Sequence, residues 1–154
     1  VILINRSMPR LEMAKSIGVA DVFICSNEED SIKRVLEETN GLGADVIFTA
    51  NPSPQAQSDA ILMAKNRARI NFFGGLPKDK SIVPIDTNVI HYKELIITGA
   101  HGSMPIHHGK AVELIASGRV NVKKFMTHNF PLDEIETAFK TAEGHSGLRV
   151  IVNP

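Results

Sequence analysis

The chain has 154 residues, of which 43% are hydrophobic and 22% charged, which is enough for one domain with its own apolar core. Lys and Arg together number 17, as do Asp and Glu, so the charge balance indicates neither a nucleic-acid partner nor a membrane partner. No apolar stretch approaches the roughly 20 residues that span a bilayer, and the single cysteine cannot form an internal disulfide, so we expect a cytoplasmic protein.

The first half of the chain alternates apolar strands with helices. Val1 to Ile4 is a β-branched run, typical of a strand covered on both faces of a parallel sheet. Pro9 suits the first turn of a helix that stops at Gly18. Ser26 or Asn27 is predicted to cap the second helix. The patterns that follow predict strands over 21–24, 45–50 and 68–73, with helices ending near 40 and covering 54–66.

The second half is less regular. A loop that contains Pro and Asp leads to a fifth strand, Leu95 to Thr98, which stops at Gly99. Helices are then predicted over 109–116 and 132–142, and a last strand over 148–152. Strands that alternate with helices of ten or more residues predict an α/β fold with a doubly wound parallel sheet.

In open parallel sheets, ligands bind beyond the carboxyl ends of the strands. Here those ends are residues 5–7, 50–52, 73–76 and 98–100. Two of them are rich in glycine, which lets a ligand approach the backbone closely. Glycine at a strand end is also common in ordinary turns, so that alternative stays open.

The first strand ends in Asn5, Arg6 and Ser7. In a dinucleotide fold the second strand ends beside the adenosine ribose, where a carboxylate binds the 2′-hydroxyl of NAD. Asn5 is neutral, Arg6 and Arg10 can bind phosphate oxygens, and Ser7 can donate, so this end predicts NADP. The alternative is a solvated helix start that carries two arginines. The glycine fingerprint, about 20 residues earlier, would precede Val1, so we expect a truncated N-terminus without the first strand.

The histidines and the cysteine predict no catalytic residue and no metal ligand. His101, His107 and His108 lie close together, but neighbouring histidines on a helix point in different directions, and no cysteine or carboxylate sits at ligand spacing. Cys25 follows an apolar strand and is expected to be buried and inert. The other histidines are isolated and are expected to be structural or solvated: His91, His128 and His145.

Two stretches carry a family resemblance: RLEMAKSIGVAD over 10–21 and ELIASGRVNVKKFMTHNFPLDEIETAF over 113–139. With the strand ends they resemble the medium-chain dehydrogenase/reductase family, in the zinc-dependent branch that includes sorbitol and threonine dehydrogenases. The resemblance covers essentially the whole chain. It implies a partial Rossmann-type dinucleotide-binding domain over 1–118 and a C-terminal segment over 119–154 that returns toward an absent catalytic domain.

The resemblance also implies a coenzyme, NADP or NAD, and a set of residues that bind it. It implies that Leu95–Thr98 is a sheet edge through which subunits join into a homo-oligomer. Arg149 lies near a place where some relatives contact the cofactor, although a salt bridge would explain it equally. The implied cofactor-binding residues are Asn5, Arg6, Ser7, Arg10, Ala50, Asn51, Phe73, Gly74, Gly75, Thr98, Gly99 and Ala100.

The family's zinc ligands lie in the absent amino-terminal domain, so the chain alone is expected to hold no zinc and to be inactive. The complete enzyme would use zinc on the oxygen of a secondary alcohol or polyol while a hydride passes to the nicotinamide. The first strand is central in the order 3-2-1-4-5-6, so the strands ending at Asn5 and Ala50 would face a gap. Three outcomes are open: these two strands close up on each other, another chain fills the space between them, or the fold is disturbed.

Two alternative functions remain open at this point. One is a non-catalytic module that binds a nucleotide or mediates assembly. The other is a zinc-free quinone reductase of the same superfamily. Zinc ligands and a glycine fingerprint in upstream sequence would distinguish the dehydrogenase from both.

Overall fold

The structure, a computed structural model, describes residues 1–144 and 147–154. The strands in this part of the chain are β1 (Ile2–Asn5), β2 (Val22–Cys25), β3 (Ala44–Phe48), β4 (Ala64–Phe72), β5 (Ile96–Gly99), β6 (Met126–Pro131) and β7 (Arg149–Asn153). The helices are α1 (Met8–Ile17), α2 (Ser31–Glu38), α3 (Pro54–Met63), α4 (Thr87–Tyr92), α5 (Pro105–Ala116) and α6 (Ile135–Glu143). Short 3-10 helices cover Lys78–Lys80, Val122–Phe125 and Leu132–Glu134.

The chain divides into two compact units. The first comprises residues 1–7 and 20–102, which contain β1 to β5 and α2 to α4. The second comprises 8–19 and 103–154, which contain α1, α5, α6, β6 and β7. The predicted domain division after residue 118 refers to a complete enzyme and stays a prediction.

The strands of the first unit form two sheets. β1 pairs with β2, while β3, β4 and β5 form a separate sheet in that order. Every pair in the described part of the chain is parallel, which confirms the predicted α/β class. The two sheets correspond to strands 3-2 and 4-5-6 of the predicted order. β1 and β3 therefore stay unpaired with each other rather than closing up.

Two apolar clusters stabilise the first unit. One lies between α3 and β4 and has as its buried members Ala60, Ile61, Ala64, Ala68 and Ile70. The other joins Ile24 of β2, Val35 of α2 and Met63 of α3. Side chains from β1 and from β3 both pack on this second cluster: Ile2, Ile4, Ala44 and Ile47. Because it takes residues from both sheets, the second cluster connects them.

The cap of α2 differs from the prediction. The Oδ1 atom of Asp30 accepts hydrogen bonds from the backbone N–H of Ile32 at 2.9 Å and of Lys33 at 3.1 Å. Ser26 and Asn27 instead lie in a turn, because the N–H groups of residues 28 and 29 both donate to the carbonyl that ends β2. Predicting Ser26 or Asn27 as the cap was therefore wrong.

Helix α3 and strand β4 meet earlier than predicted. α3 stops at Met63 rather than at residue 66, and β4 begins at Ala64 rather than at residue 68. Ala64 pairs with Ala44 of β3, and Lys65 Nζ donates to Asp45 Oδ1 at 2.9 Å. This hydrogen bond and the charge of Lys65 lower the pKa of Asp45. Pairing with β3 thus places residues 64–66 in a strand, although their local pattern favoured a helix.

Two elements were not predicted at all. α4 occupies the loop before β5, and its first turn is capped by Asp86, whose Oδ1 accepts from Asn88 N at 2.9 Å. β6 forms a parallel pair with β7 in the second unit, where α6 packs on both strands and buries Ala138. The polar residues Thr127, His128 and Asn129 interrupt the apolar pattern from which β6 could have been predicted as a strand. None of the helices in the described ranges has the length and apolarity needed to cross a membrane.

Candidate functional site

The ends of β3 and β4 are in direct backbone contact. A Cβ atom placed on Gly74 would lie 2.6 Å from the carbonyl oxygen of Asn51 and 2.8 Å from its nitrogen. The Gly74 N–H also donates to the carbonyl of Thr49 at 2.7 Å. A side chain at position 74 would force the two segments apart, so glycine is required there. The structure therefore brings Asn51 and Gly74, both predicted to bind the cofactor, onto one surface.

The end of β5 joins the same surface. Asn71 Nδ2 donates to Thr98 Oγ1 at 3.0 Å, and the Thr98 hydroxyl donates to the Ile70 carbonyl at 3.3 Å. The Ala100 N–H donates to the Phe72 carbonyl at 3.4 Å. We call the residues at these three neighbouring ends the strand-end surface: Ala50, Asn51, Phe73, Gly74, Gly75, Thr98, Gly99 and Ala100.

The strand-end surface offers backbone groups and one aromatic ring to a ligand. Phe73 is 62% exposed, and all the other members except Gly74 are exposed as well. The side-chain oxygen of Asn51 accepts from Ser53 N at 3.2 Å, which leaves its amide group to donate. Exposed peptide groups, an amide and a flat ring suit a ligand that is both polar and aromatic.

Gln57 supports this surface and was not singled out in the sequence. It lies on α3, is 8% exposed, and donates from Nε2 to the Gly74 carbonyl at 3.5 Å. A signal for it does exist, because Gln57 shares helical spacing with the buried Ala60 and Ile61. A polar residue on the buried face of a helix needs a polar partner, and here that partner is the backbone of the site.

Two buried oxygen atoms at the strand ends lack a hydrogen-bond partner within the described residues. They are Oγ1 of Thr49, a residue only 4% exposed, and Oδ1 of Asn71. Buried polar atoms are nearly always paired, with protein or with ordered water. These atoms therefore give the strand ends unused capacity to bind a polar group or a water molecule, which fits a polar cofactor there.

The end of β1 forms a tight polar turn. Asn5 Oδ1 accepts from the Ser7 N–H at 2.9 Å, and the buried Cys25 thiol lies 3.5 Å from the Arg6 carbonyl oxygen. These contacts fix the backbone on both sides of Arg6, whose exposed side chain makes no hydrogen bond or ion pair inside the described ranges. The turn thus presents a cation next to a neutral amide, and Cys25 is buried as predicted.

Arg10 belongs to the second unit. It is half-buried, and its Nη2 donates to the Gly147 carbonyl at 3.3 Å. Its Nε atom is buried and has no acceptor among the residues that the structure describes. Binding of phosphate by Arg10 stays a prediction, as does cofactor contact by Arg149, which is exposed on β7.

Two of the three clustered histidines, His107 and His108, have local partners at the start of α5. Ser103 Oγ lies 2.8 Å from His108 Nε2, and the Met104 N–H donates to His107 Nδ1 at 3.1 Å. Across residues 1–144 and 147–154, no group of three or more His, Cys, Asp or Glu side chains is placed to hold a metal ion.

The remaining histidines fit local roles. His91 is exposed on α4. His128 is half-buried on β6, where its Nδ1 lies 3.1 Å from Thr127 Oγ1 and its ring stacks on Phe130. His145 lies outside the described residues.

Comparison with known proteins identifies related sequences and folds. A family model described as zinc-binding dehydrogenase matches residues 1–117. L-threonine 3-dehydrogenase of Bacillus licheniformis is 32% identical over 154 residues, which are 99% of this chain and 44% of that protein. Sorbitol dehydrogenase of Halalkalibacterium halodurans is 24% identical over 98% of this chain and 43% of its own length.

A solved structure gives the same picture. An alcohol dehydrogenase from Thermotoga maritima superposes with a TM-score of 0.88 at 28% identity, over 100% of this chain and 43% of that one. The chain thus spans less than half the length of each of these relatives. The similarity covers both compact units, since it extends over the whole chain.

Proposed function

Because the chain belongs to the zinc-binding dehydrogenase family, we propose that it is the coenzyme-binding part of an alcohol dehydrogenase that prefers NADP to NAD. The complete enzyme would interconvert a secondary alcohol or polyol, such as sorbitol, with its ketone. Residues 1–118 would form most of the dinucleotide-binding domain, and 119–154 would return toward a catalytic domain. The observation that carries the proposal is the strand-end surface, where three parallel strands end side by side.

The strand-end surface would bind the nicotinamide half of the coenzyme. Phe73 and the two glycines after it would lie beside the nicotinamide ribose, and the peptide groups of Thr98 to Ala100 would orient the carboxamide. Gln57 would hold the Gly74 carbonyl in place during binding. When bound, the coenzyme supplies or accepts the hydride, and a zinc ion held outside this chain would polarise the alcohol oxygen. The chain alone would therefore be inactive.

The turn after β1 would select the coenzyme. A carboxylate at position 5 would repel a 2′-phosphate, whereas Asn5 is neutral and its oxygen already accepts from Ser7 N. The exposed guanidinium of Arg6 can donate two parallel hydrogen bonds to phosphate oxygens. These features support a preference for NADP, and they come from residues of the first unit alone.

Adenosine 2′,5′-bisphosphate and AMP provide a direct test, because they differ only in the 2′-phosphate. We expect the 154-residue chain to bind the bisphosphate roughly 10- to 100-fold more tightly in calorimetric titration, since a charge-assisted hydrogen bond contributes roughly 1.5–3 kcal/mol. Arg6→Ala should remove this difference while leaving AMP affinity unchanged. Asn5→Asp should reverse it, and Arg119→Ala is a control that removes an equal charge elsewhere.

The outcomes separate two parts of the proposal. Equal binding of both nucleotides by the unmodified chain, or an equal loss of both in Arg6→Ala, contradicts the preference for NADP. Failure of both nucleotides to bind contradicts a coenzyme-binding role for this chain.

We also propose that the enzyme is a homo-oligomer joined through the Leu95–Thr98 edge. β5 pairs with β4 on one side, and no other described strand lies on its second side. The hydrogen bond from Ala100 N to the Phe72 carbonyl shows that residue 100 directs its backbone groups toward β4. Because alternate residues of a parallel strand direct these groups to opposite sides, Ile97 and Gly99 direct theirs away from β4. An edge with unpaired groups readily pairs with another chain.

A further inference from the structure

The turn that follows α2 contains an asparagine directly before a glycine. Among the asparagines of the sequence, only Asn40 precedes a glycine, Gly41. Both residues are exposed, and their φ angles are positive, at 52° and 80°. Asparagine tolerates this left-handed conformation, and glycine adopts it readily. The Asn40 amide thus lies at the surface, and the next residue has no side chain to shield it.

An asparagine followed by glycine can undergo an intramolecular reaction. The Gly41 nitrogen bonds to Cγ of Asn40, and the side-chain nitrogen leaves as ammonia, taking the proton from the Gly41 N–H. The product is a cyclic imide, and water then hydrolyses one of the two bonds to the imide nitrogen. Cleavage at Cγ gives aspartate, whereas cleavage at the main-chain carbonyl gives isoaspartate. Water is the only co-reactant, and no atom is oxidised or reduced.

The folded turn protects the nitrogen that must attack. The Gly41 N–H donates to the Leu36 carbonyl at 2.7 Å, and the Asn40 N–H donates to the Glu37 carbonyl at 3.2 Å. Because the Gly41 nitrogen must lose its proton to attack, its hydrogen bond has to open first. The reaction therefore requires the end of α2 to open.

This end of α2 can open without unfolding of the first unit. Residues 40–42 are exposed, and the buried residues of α2 are Ser31 and Val35, which lie earlier in the helix. Segments that bury little apolar surface and have solvent-exposed backbone hydrogen bonds open at much lower free energy than the core. The free energy of this local opening should thus control how often the Gly41 nitrogen becomes reactive.

We propose that Asn40 is a site of spontaneous deamidation in the folded chain, at a rate set by local opening of the turn after α2. The new carboxylate would lie beside Glu37 and Glu38 at the negative end of the helix dipole, which is unfavourable. Arg34 already pairs with Glu38 at 2.6 Å and so would offset little of the added charge. Deamidation would therefore weaken the end of α2.

Isoaspartate would also lengthen the backbone by one methylene just before a tightly packed glycine. A Cβ atom on Gly43 would lie 2.6 Å from the Met63 carbonyl oxygen, so Gly43 approaches the junction of α3 and β4 closely. The isoaspartyl product should disturb this approach more than the aspartyl product does. The inference goes beyond the proposed function, because the site precedes β3, whereas the strand-end surface follows it, and the reaction needs no nucleotide.

The test compares the 154-residue chain with the free peptide acetyl-Glu-Glu-Thr-Asn-Gly-Leu-Gly-amide at physiological temperature and pH. Mass spectrometry of proteolytic fragments measures deamidation, and the protease Asp-N distinguishes the products because it cleaves before aspartate but not before isoaspartate. We expect both products at Asn40, formed about tenfold or more slowly than in the peptide. This ratio should match the hydrogen-exchange protection of the Gly41 amide within about threefold, since opening of the same bond limits both processes.

Variants test whether local opening sets the rate. The Thr39 hydroxyl donates to the Val35 carbonyl at 2.7 Å and accepts from the Gly43 N–H at 3.0 Å. Thr39→Val removes both hydrogen bonds and keeps the side-chain size, so deamidation and Gly41 exchange should both accelerate by about two- to tenfold. Thr137→Val, an exposed change on α6, is the matched control and should leave both rates unchanged.

Two further variants isolate the amide and the charge. Asn40→Gln keeps a side-chain amide but requires a larger ring, so we expect no acidic product at this position. Asn40→Asp supplies the charge without the reaction and should speed exchange of the Gly41 amide by about two- to fivefold, through the helix dipole.

Three results would overturn the inference. One is an Asn40 amide that stays intact beyond the time predicted from the peptide rate and the Gly41 protection. Another is a deamidation rate that follows global unfolding, so that Thr39→Val speeds Gly41 exchange but not the reaction. The third is deamidation at other asparagines as fast as at Asn40.

Discussion

At the scale of the residue, the strand-end surface depends on which atoms can approach the backbone. Gly74 and Gly75 look equivalent in the sequence, but only Gly74 lies against Asn51. Nothing lies within 4 Å of the position that a Cβ on Gly75 would take. The pair therefore allows a test in which a methyl group is added at two adjacent sites with different surroundings.

We expect Gly74→Ala to lower the free energy of unfolding by roughly 1–3 kcal/mol in urea denaturation, because its Cβ would overlap the backbone of Asn51. Gly75→Ala is the matched control and should stay within about 0.5 kcal/mol of the unmodified chain. Equal effects at the two positions would show that the close approach of Gly74 to Asn51 does not limit stability.

At the scale of the element, helix starts are decided by which polar side chain can reach the first N–H groups. Three candidates precede α2, and Asp30 takes the role because Ser26 and Asn27 lie in the turn that follows β2. An Asp at this position also adds negative charge next to the positive end of the helix dipole.

Asp30→Ala should lower the free energy of unfolding by about 1 kcal/mol, the usual cost of losing an N-cap. Ser26→Ala and Asn27→Ala are controls at two other exposed polar residues before α2, and neither should change stability by more than about 0.5 kcal/mol in thermal denaturation. A larger loss in either control would contradict the assignment of the cap to Asp30.

At the scale of the whole molecule, unpaired strand edges govern what the chain can assemble with. β5 has such an edge, and the exposed Ile96 on it is 47% accessible. Two copies that pair through β5 would place the Ile96 of each copy at the shared edge. A charge at this position is therefore an effective way to oppose the proposed homo-oligomer.

We expect Ile96→Lys to raise the dimer dissociation constant by about tenfold or more in sedimentation velocity experiments, because like charges would meet at the paired edge. Ile82→Lys adds the same charge at a residue that is 92% exposed and should leave assembly unchanged. A monomeric unmodified chain, or equal weakening by both substitutions, would contradict assembly through β5.

Much of the fold could be predicted from local pattern. The apolar runs at β1, β3 and β5 are long enough to be recognised, and the helices between them have clear stop signals at Gly18 and Gly41. β6 could not be predicted, because its polar residues become a strand only when β7, some twenty residues later, supplies its partner. The early start of β4 at Ala64 has the same origin in pairing with β3.

The sequence by itself determined the α/β class, the position of the strand ends and the neutral, basic turn after β1, because these depend on residue type and short spacing. Tertiary structure alone decided that Gly74 lies on Asn51 and that Gln57 holds the Gly74 carbonyl. It also decided that β1 and β3 remain in separate sheets. Such features depend on contacts between residues distant along the chain, and no local pattern encodes which of them form.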